Sequence, residues 1–139
     1  MKMTNFMLVN FMNTLEAFQD KKLPQKISYA ITRNLMNISK EYQVYAAQLK
    51  KIFDAYADYM VRDEQGTIRY SPNGIPIVEE AVTEEFHEQL TDLLNIEFDM
   101  DIYLISLDIF DYEDKDRRYD VLSADDIMKL QMILCASNI

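Results

Sequence analysis

The residues best suited to chemistry in this chain are carboxylates, and they concentrate in one stretch of the second half. Two of them alternate with apolar residues and five follow shortly after: Asp99, Asp101, Asp108, Asp111, Glu113, Asp114 and Asp116. Carboxylate oxygens are ligands for Ca²⁺ and Mg²⁺, but this run lacks the glycine and the closing glutamate of an EF-hand loop. A solvated acidic face, or a surface for a basic partner, is the better interpretation. Regularly spaced carboxylates could also imitate the phosphates of a nucleic acid.

Side chains for enzymatic catalysis are scarce. His87 is the only histidine and Cys135 the only cysteine, and two glycines are too few for a phosphate-cradling loop. Glu84 and His87 have the E-x-x-H spacing of di-iron helical bundles, which need a second such motif and two further carboxylates. We therefore expect a non-enzymatic protein with no metal and no cofactor. A lone cysteine rules out an internal disulfide and favours a reducing cytoplasm.

A long helix is the element on which the rest of the chain is expected to pack. From Pro24 to about Arg62, apolar residues recur at alternating steps of three and four, which keeps them on one face. A first helix, capped by Thr4 or Asn5 and running to about Gln19, carries a matching stripe. The short connection at residues 20–23 predicts an antiparallel helical hairpin. The far end of the long helix then needs a partner from the second half or from another chain.

The second half is expected to be a smaller mixture of helix and strand. Residues 63–66 end the long helix, and residues 67–70 and 75–78 flank a turn at 71–74, which predicts a small hairpin or a plain surface loop. Thr83 is expected to cap a helix over residues 84–95.

Further elements are expected to carry the acidic residues. Residues 96–102 alternate apolar and acidic, which indicates a strand with one buried face. A flexible charged loop is expected at 111–118, and Ser123 with Asp126 predicts a capping box for a last helix to about Ala136. No internal repeat is evident.

Together these patterns predict one α+β domain over residues 1–139, with a long helical hairpin in 1–62, and an acidic portion in 63–139 with a small β-hairpin or sheet and two further helices. Residues 1–62 carry nine Lys and Arg against five Asp and Glu, and residues 63–139 carry five against nineteen. The acidic half should repel nucleic acid and anionic membranes and attract basic proteins. The sequence has no run of eighteen apolar residues, so no membrane-spanning helix is predicted.

One family resemblance covers most of the chain. The run KKLPQKISYAITRN at residues 21–34 resembles the opening of a family of short phage and prophage proteins of uncharacterised function. The similarity continues through residues 41–42, 50–51 and 56–66, and returns at FHEQLTDLLN (86–95), the following strand and LSADD (122–126). The chain departs from the family in its aromatic first helix and in the acidic loop at 111–118. The resemblance implies a phage or prophage origin and a role in the cytoplasm of the infected or lysogenic bacterium, with no catalytic residues to assign.

The functional prediction combines this resemblance with the charge. We predict a non-enzymatic phage-encoded protein that binds and inhibits a host protein with a basic surface, such as a nucleic-acid-binding protein or a defence component like a CRISPR effector. The seven carboxylates of residues 99–116 are the candidate partner-binding residues. One alternative is a virion or assembly accessory that forms a homo-oligomer through the long helix, and another is a protein that sequesters a small ligand.

Overall fold

The chain has an α+β fold, described by a computed structural model over residues 1–135. The elements are β1 (Lys2–Thr4), α1 (Asn5–Glu16), α2 (Gln25–Ala55), α3 (Glu80–Leu94), β2 (Glu97–Asp99) and α4 (Ala124–Leu134), with short 3-10 helices at Ala57–Tyr59 and Leu107–Phe110. A long helix with a two-stranded antiparallel sheet confirms the predicted fold class.

Two compact units make up the chain. The first unit combines Met1–Tyr42 with the chain from Glu97 onward, and the second unit is Gln43–Ile96. This division differs from the portions 1–62 and 63–139 suggested by charge, because helix α2 contributes residues to both units.

In the first unit, α1 begins where its cap predicts. The Thr4 hydroxyl oxygen accepts a hydrogen bond from the Met7 N–H at 3.2 Å, which satisfies one of the unpaired donors of the first turn. The helix ends at Glu16, three residues before the predicted Gln19, because the backbone tightens there into i to i+3 bonds such as Phe18 N–H to Leu15 O. Leu8 and Leu15 of α1 and Ile27, Ile31 and Ile38 of α2 are buried in one core cluster. The most extensive helix–helix contact of α1 is with α4.

The predicted strand over residues 96–102 is only three residues long. β2 pairs with β1 in the register Lys2↔Asp99, Met3↔Phe98 and Thr4↔Glu97. Beyond this register the Met1 amino group donates to the Met100 carbonyl at 3.0 Å and the Met100 N–H donates to the Met1 carbonyl at 2.9 Å. The predicted alternation holds from Phe98 onward, since Met100 is buried, Phe98 and Ile102 are half-buried, and Asp99 and Asp101 are exposed, whereas Ile96 is exposed instead of buried.

Helix α2 is shorter than predicted. It ends at Ala55 rather than near Arg62, and Met60 has an extended backbone with φ −73° and ψ 133°. Residues 60–62 leave the helix because their backbone groups pair with other strand-like segments: Met60 bridges Val78 and Arg62 bridges Ile68.

The second unit contains three such segments where a simple hairpin was predicted. The Val61 N–H donates to the Ile77 carbonyl at 2.8 Å, Ile77 donates to Arg69 at 2.9 Å, and Arg69 donates to Val61 at 2.9 Å. These bonds form a closed cycle in which each segment donates once and accepts once. The predicted hairpin contact is present as the Tyr70↔Pro76 bridge, and residues 60–62, which follow α2 in the chain, supply the third segment.

An eight-residue repetition underlies this cycle and was missed in the sequence. Asp63 and Ser71 occupy equivalent turns, since Gly66 N–H donates to Asp63 O at 3.0 Å and Gly74 N–H donates to Ser71 O at 2.9 Å. The two glycines have φ of 81° and 78°, a left-handed conformation that glycine adopts without steric cost. The only two glycines of the chain therefore lie at matching positions of one repeated turn.

Helix α3 begins four residues before its predicted start. Its first residue is Glu80, and Thr83, the expected cap, instead donates its hydroxyl to the Glu79 carbonyl at 3.0 Å from within the first turn. The core of this unit joins Phe86 and Leu90 of α3 to Leu49, Ile52 and Phe53 of α2. The same chain thus supplies the partner that the far end of α2 was predicted to need.

Helix α4 has the predicted capping box. Ser123 Oγ accepts from Asp126 N–H at 3.0 Å, and Asp126 Oδ2 accepts from Ser123 N–H at 3.1 Å. Its predicted end at Ala136 lies outside the described residues. Among residues 1–135, no helix combines the length and the apolar character that crossing a bilayer requires.

Candidate functional site in the acidic surface

All seven predicted carboxylates lie in the first unit, and their surroundings differ. Asp99 is in β2, Asp101 follows it, Asp108 is in the second 3-10 helix, and Asp111 comes directly after that helix. Six of the seven are exposed and Asp114 is half-buried. Among the described residues, no group of three acidic, histidine or cysteine side chains is placed to hold a metal ion.

The strand part of this surface is a row of carboxylates facing the same way. Glu97, Asp99 and Asp101 are all exposed and alternate along an extended chain, which spaces them by roughly 6.6 Å. Lys2 lies directly opposite Asp99 across the two-stranded sheet. This lysine, together with the Met1 ammonium group that donates to the Met100 carbonyl at 3.0 Å, offsets part of the negative charge of the row.

Asp108 and Asp111 belong to the exposed part of the surface. The Asp111 N–H donates to the Asp108 carbonyl at 3.0 Å, which fixes the two residues across one short turn. Neither carboxylate forms an ion pair with any residue in the described part of the chain. Both therefore present their charge to solvent.

Asp114 has a structural role. Its two carboxylate oxygens accept hydrogen bonds from the backbone N–H groups of Arg118 at 2.8 Å and Tyr119 at 3.0 Å, and Arg117, directly before them, has a φ of 50°. A carboxylate engaged by two backbone donors has little left for a partner. We therefore remove Asp114 from the candidate binding residues.

The remaining two loop carboxylates, Glu113 and Asp116, form only weak ion pairs with neighbouring cations. Glu113 lies 3.5 Å from Lys115, and Asp116 lies 3.9 Å from Arg118, with all four side chains mostly exposed. Exposed pairs of this kind contribute little free energy, so a partner could replace them readily. The loop expected to be flexible is held at its end, because Lys22 and Asp120 exchange two hydrogen bonds of 2.7 Å.

A second acidic row lies on α3 and was missed in the sequence analysis. Glu80, Glu84, Glu88 and Asp92 are all exposed and recur every four residues, which places their Cα atoms about 6 Å apart along one side of the helix. Helix α3 contains no Lys or Arg, and none of the four carboxylates forms an ion pair within residues 1–135. Like charges four residues apart on a helix repel one another and destabilise it. A repeat of acidic residues at this spacing is therefore a recognisable feature of the sequence.

Each unit also has an open groove. In the first unit a groove of about 550 Å³ is lined by five apolar or aromatic residues and three polar ones: Tyr29, Tyr103, Leu104, Ile105 and Ile109, with Gln25, Lys26 and Ser106. Nearby, the Arg33 guanidinium lies 4.8 Å from the Tyr103 ring centre, and its Nη1 donates to the Tyr29 hydroxyl at 3.1 Å. Such a groove is suited to apolar ligands.

The groove of the second unit is more polar. It measures about 480 Å³ and lies where the end of α2 faces α3, with Tyr56, Tyr59 and Glu85 among its lining residues. Burial raises the pKa of the Tyr56 hydroxyl, and the charge of Glu85 and its hydrogen bond with Tyr56 raise it further. His87, the residue of the E-x-x-H motif, is exposed on α3.

Comparison with known proteins yields no relative. No protein-family model, no characterised protein and no solved structure matches this chain. The resemblance to short phage proteins stays a prediction, and the functional argument depends on the charges and contacts described above.

Proposed function

We propose that this protein is a non-enzymatic, phage-encoded inhibitor that binds a host protein with a basic surface in the cytoplasm of the infected or lysogenic bacterium. The partner class that fits best is a nucleic-acid-binding protein, including defence nucleases such as CRISPR effectors. The observation that carries this proposal is the set of exposed carboxylates without an ion-pair partner in the described chain, on both units.

Binding of these carboxylates to a basic surface depends on their spacing as well as on their total charge. Exposed carboxylates about 6 Å apart along α3 and roughly 6.6 Å apart along residues 97–101 form regular rows of negative charge. A protein that binds nucleic acid recognises regular negative charge through Lys and Arg side chains. Such rows can therefore compete for the same basic surface, and the association should weaken as salt rises.

The test is a pull-down from a lysate of susceptible bacteria with the tagged protein, at low and at moderate salt. We expect one basic host protein to be retained at low salt and released as salt rises. In Glu80→Gln/Glu84→Gln/Glu88→Gln, which neutralises three unpaired carboxylates, retention should fall.

The matched control changes the net charge equally at carboxylates that already have a cationic neighbour. Asp54→Asn/Asp125→Asn, compared with Glu84→Gln/Glu88→Gln on α3, removes two carboxylates that are each paired with a Lys side chain. This variant should retain the partner better than the α3 double variant does. Equal loss in both variants, or no retained host protein, would contradict the proposal.

Self-association through the long helix is the second candidate function, as in a virion or assembly accessory. Tyr29 and Met36 lie seven residues apart on one face of α2 and expose 52% and 66% of their surface. An oligomer burying this face should appear in sedimentation at micromolar concentration, and Met36→Gln should return it to a monomer. A monomer at all concentrations and absence from purified particles would exclude this candidate.

Sequestration of a small ligand is the third candidate, and the groove of the first unit supports it. A bound apolar ligand should raise the melting temperature of the wild-type protein. The rise should be smaller in Tyr103→Ala, which removes one wall of the groove.

A further inference from the structure

The polar groove of the second unit has the components of a site for a cationic side chain. It is lined by two tyrosines, a carboxylate, two amides and a single lysine, together with the apolar surface of α2: Gln48, Lys51, Ile52, Ala55, Tyr56, Tyr59, Glu85 and Gln89. We propose that this tyrosine groove binds the guanidinium group of an arginine side chain supplied by the partner protein.

The two tyrosine rings form an angled pair of walls. Their centres are 6.5 Å apart and their planes differ by 58°. Tyr59 is 44% exposed, and Tyr56 is held from behind by Phe86, whose ring centre is 5.1 Å away in an edge-on arrangement. A cation near aromatic faces is attracted by their negative charge distribution, and a wall fixed before binding costs little further ordering.

A carboxylate completes the recognition of a cation. Glu85 lines the same groove as the two rings, and its negative charge is one of the causes that raise the pKa of the Tyr56 hydroxyl. A carboxylate has more acceptor positions than one hydroxyl uses, and the amide oxygens of Gln48 and Gln89 add neutral acceptors. Arginine fits this set better than lysine because its planar group can stack on a ring while its N–H groups reach several acceptors.

The charge around the groove favours a cation over an anion. Glu84 and Glu88 of the α3 row are neighbours of Glu85 in sequence, whereas Lys51 is the only basic residue that lines the groove. Lys51 opposes a bound arginine through like-charge repulsion, so its removal should strengthen binding. An anionic ligand would show the reverse dependence on Lys51 and on Glu85.

This inference depends on the proposed function for the source of the arginine, but a small probe tests the groove by itself. The probe is N-acetyl-arginine amide, titrated into the full chain and followed by NMR of the tyrosine rings. N-acetyl-citrulline amide, of nearly the same shape and without charge, is the control ligand. We expect saturable shifts of Tyr56 and Tyr59 with arginine and none with citrulline.

Variants decide which side chains are responsible. Glu85→Gln and Tyr59→Ala should each weaken arginine binding by about fivefold or more, since a charge contact or a cation–π contact is lost. Lys51→Gln should strengthen it, whereas Lys50→Gln, at a lysine paired with Asp54, should have a smaller effect. Equal shifts with citrulline, or unchanged binding in both Glu85→Gln and Tyr59→Ala, would overturn the proposal.

The lysate experiment separates this inference from the proposed function. If a host protein is retained equally by wild type and by Tyr59→Ala, the groove has no role in recognising it, and the inference fails while the proposed function stands. If arginine binds the groove but no host protein is retained, the site stands and the proposed function fails.

Discussion

The side chain of Asn34 pairs with the backbone of Tyr103 as a neighbouring strand would. Its Nδ2 donates to the Tyr103 carbonyl at 3.0 Å, and its Oδ1 accepts the Tyr103 N–H at 2.7 Å. Asn34 is fully buried on α2, among the apolar residues of the first core. One amide therefore satisfies both backbone groups of an extended residue just beyond β2, and fixes the chain that carries the acidic residues against the long helix.

Asn34→Leu should destabilise the protein strongly. The leucine keeps a similar volume but leaves both Tyr103 backbone groups without their partner, at a cost of about 2–4 kcal/mol in the free energy of unfolding. Urea denaturation measures this loss. Asn37→Leu is the control on the same helix, because no hydrogen bond of the Asn37 side chain is found within residues 1–135, and its effect should stay below about 1 kcal/mol. Equal effects in the two variants would show that the amide pairing contributes nothing.

Much of the fold could be predicted because it depends on local signals. Each of these signals depends on a few residues that are close together in the sequence. The structure contains the helices α1 and α2, the Thr4 cap and the Ser123 capping box. The Asn34–Tyr103 pairing joins residues that are 69 positions apart, and their residue types alone do not predict it. The end of α2 was missed for the same reason, since the bonds that draw residues 60–62 out of the helix come from residues 68–78.

Gly66→Ala and Gly74→Ala should each destabilise the second unit. A Cβ at either position would meet no atom within 4 Å, so the cost comes from the backbone alone. Holding an alanine at a φ of 81° or 78° costs about 1–2 kcal/mol. Because asparagine tolerates this conformation better, Gly74→Asn should cost less than Gly74→Ala in urea denaturation. A destabilisation by asparagine as large as that by alanine would argue against the left-handed turn.

Asp114→Ala should loosen the charged loop without affecting the cores. The loss of both acceptors frees the N–H groups of Arg118 and Tyr119, and hydrogen exchange at these two amides should speed up by about fivefold or more. Asp116→Ala, in the same loop, has only a 3.9 Å contact with Arg118 and should leave exchange nearly unchanged. Matching exchange rates in the two variants would restore Asp114 to the candidate binding residues.

The candidate site was only partly accessible from the sequence. Composition correctly places exposed carboxylates between residues 97 and 116, but it cannot distinguish Asp114, which binds two backbone amides, from Asp111, which faces solvent. The α3 row was readable in principle. It was missed because the predicted helix began at Glu84, capped by Thr83, and so left out Glu80, the first member of the row.

The thiol of Cys135 should react slowly at neutral pH. Burial raises its pKa above the ordinary value of 9.0, so the thiolate that attacks alkylating reagents is scarce in the folded protein. The Cys135 thiol makes its whole contribution to the free energy of unfolding below the pKa that it has in the unfolded chain. This contribution is lost as the pH rises through the pKa of the thiol in the folded protein. Labelling with iodoacetamide at pH 7 should be much slower in buffer than in urea, and labelling at the unfolded rate in buffer would contradict the burial.

The hydroxyl of Tyr56 should ionise above the ordinary tyrosine range. Burial raises its pKa above 10.0, and the charge of Glu85 and its hydrogen bond with Tyr56 add to this. Phenolate absorbance of the wild type minus that of Tyr56→Phe isolates this one titration among nine tyrosines. Because folding raises the pKa of the Tyr56 hydroxyl, this group contributes to the free energy of unfolding below pH 10. The contribution is lost as the pH rises through the pKa of Tyr56 in the folded protein.

Glu85→Gln should lower the Tyr56 pKa without returning it to the ordinary value. The substitution removes the negative charge beside the hydroxyl, but the burial, which is the larger cause, persists. Glu64→Gln makes the same change of net charge in an exposed turn of the same unit and should leave the titration of Tyr56 in place. If both variants shift the titration equally, general charge rather than the Glu85 contact governs Tyr56, and the carboxylate would not be held beside the tyrosine rings as an arginine site requires.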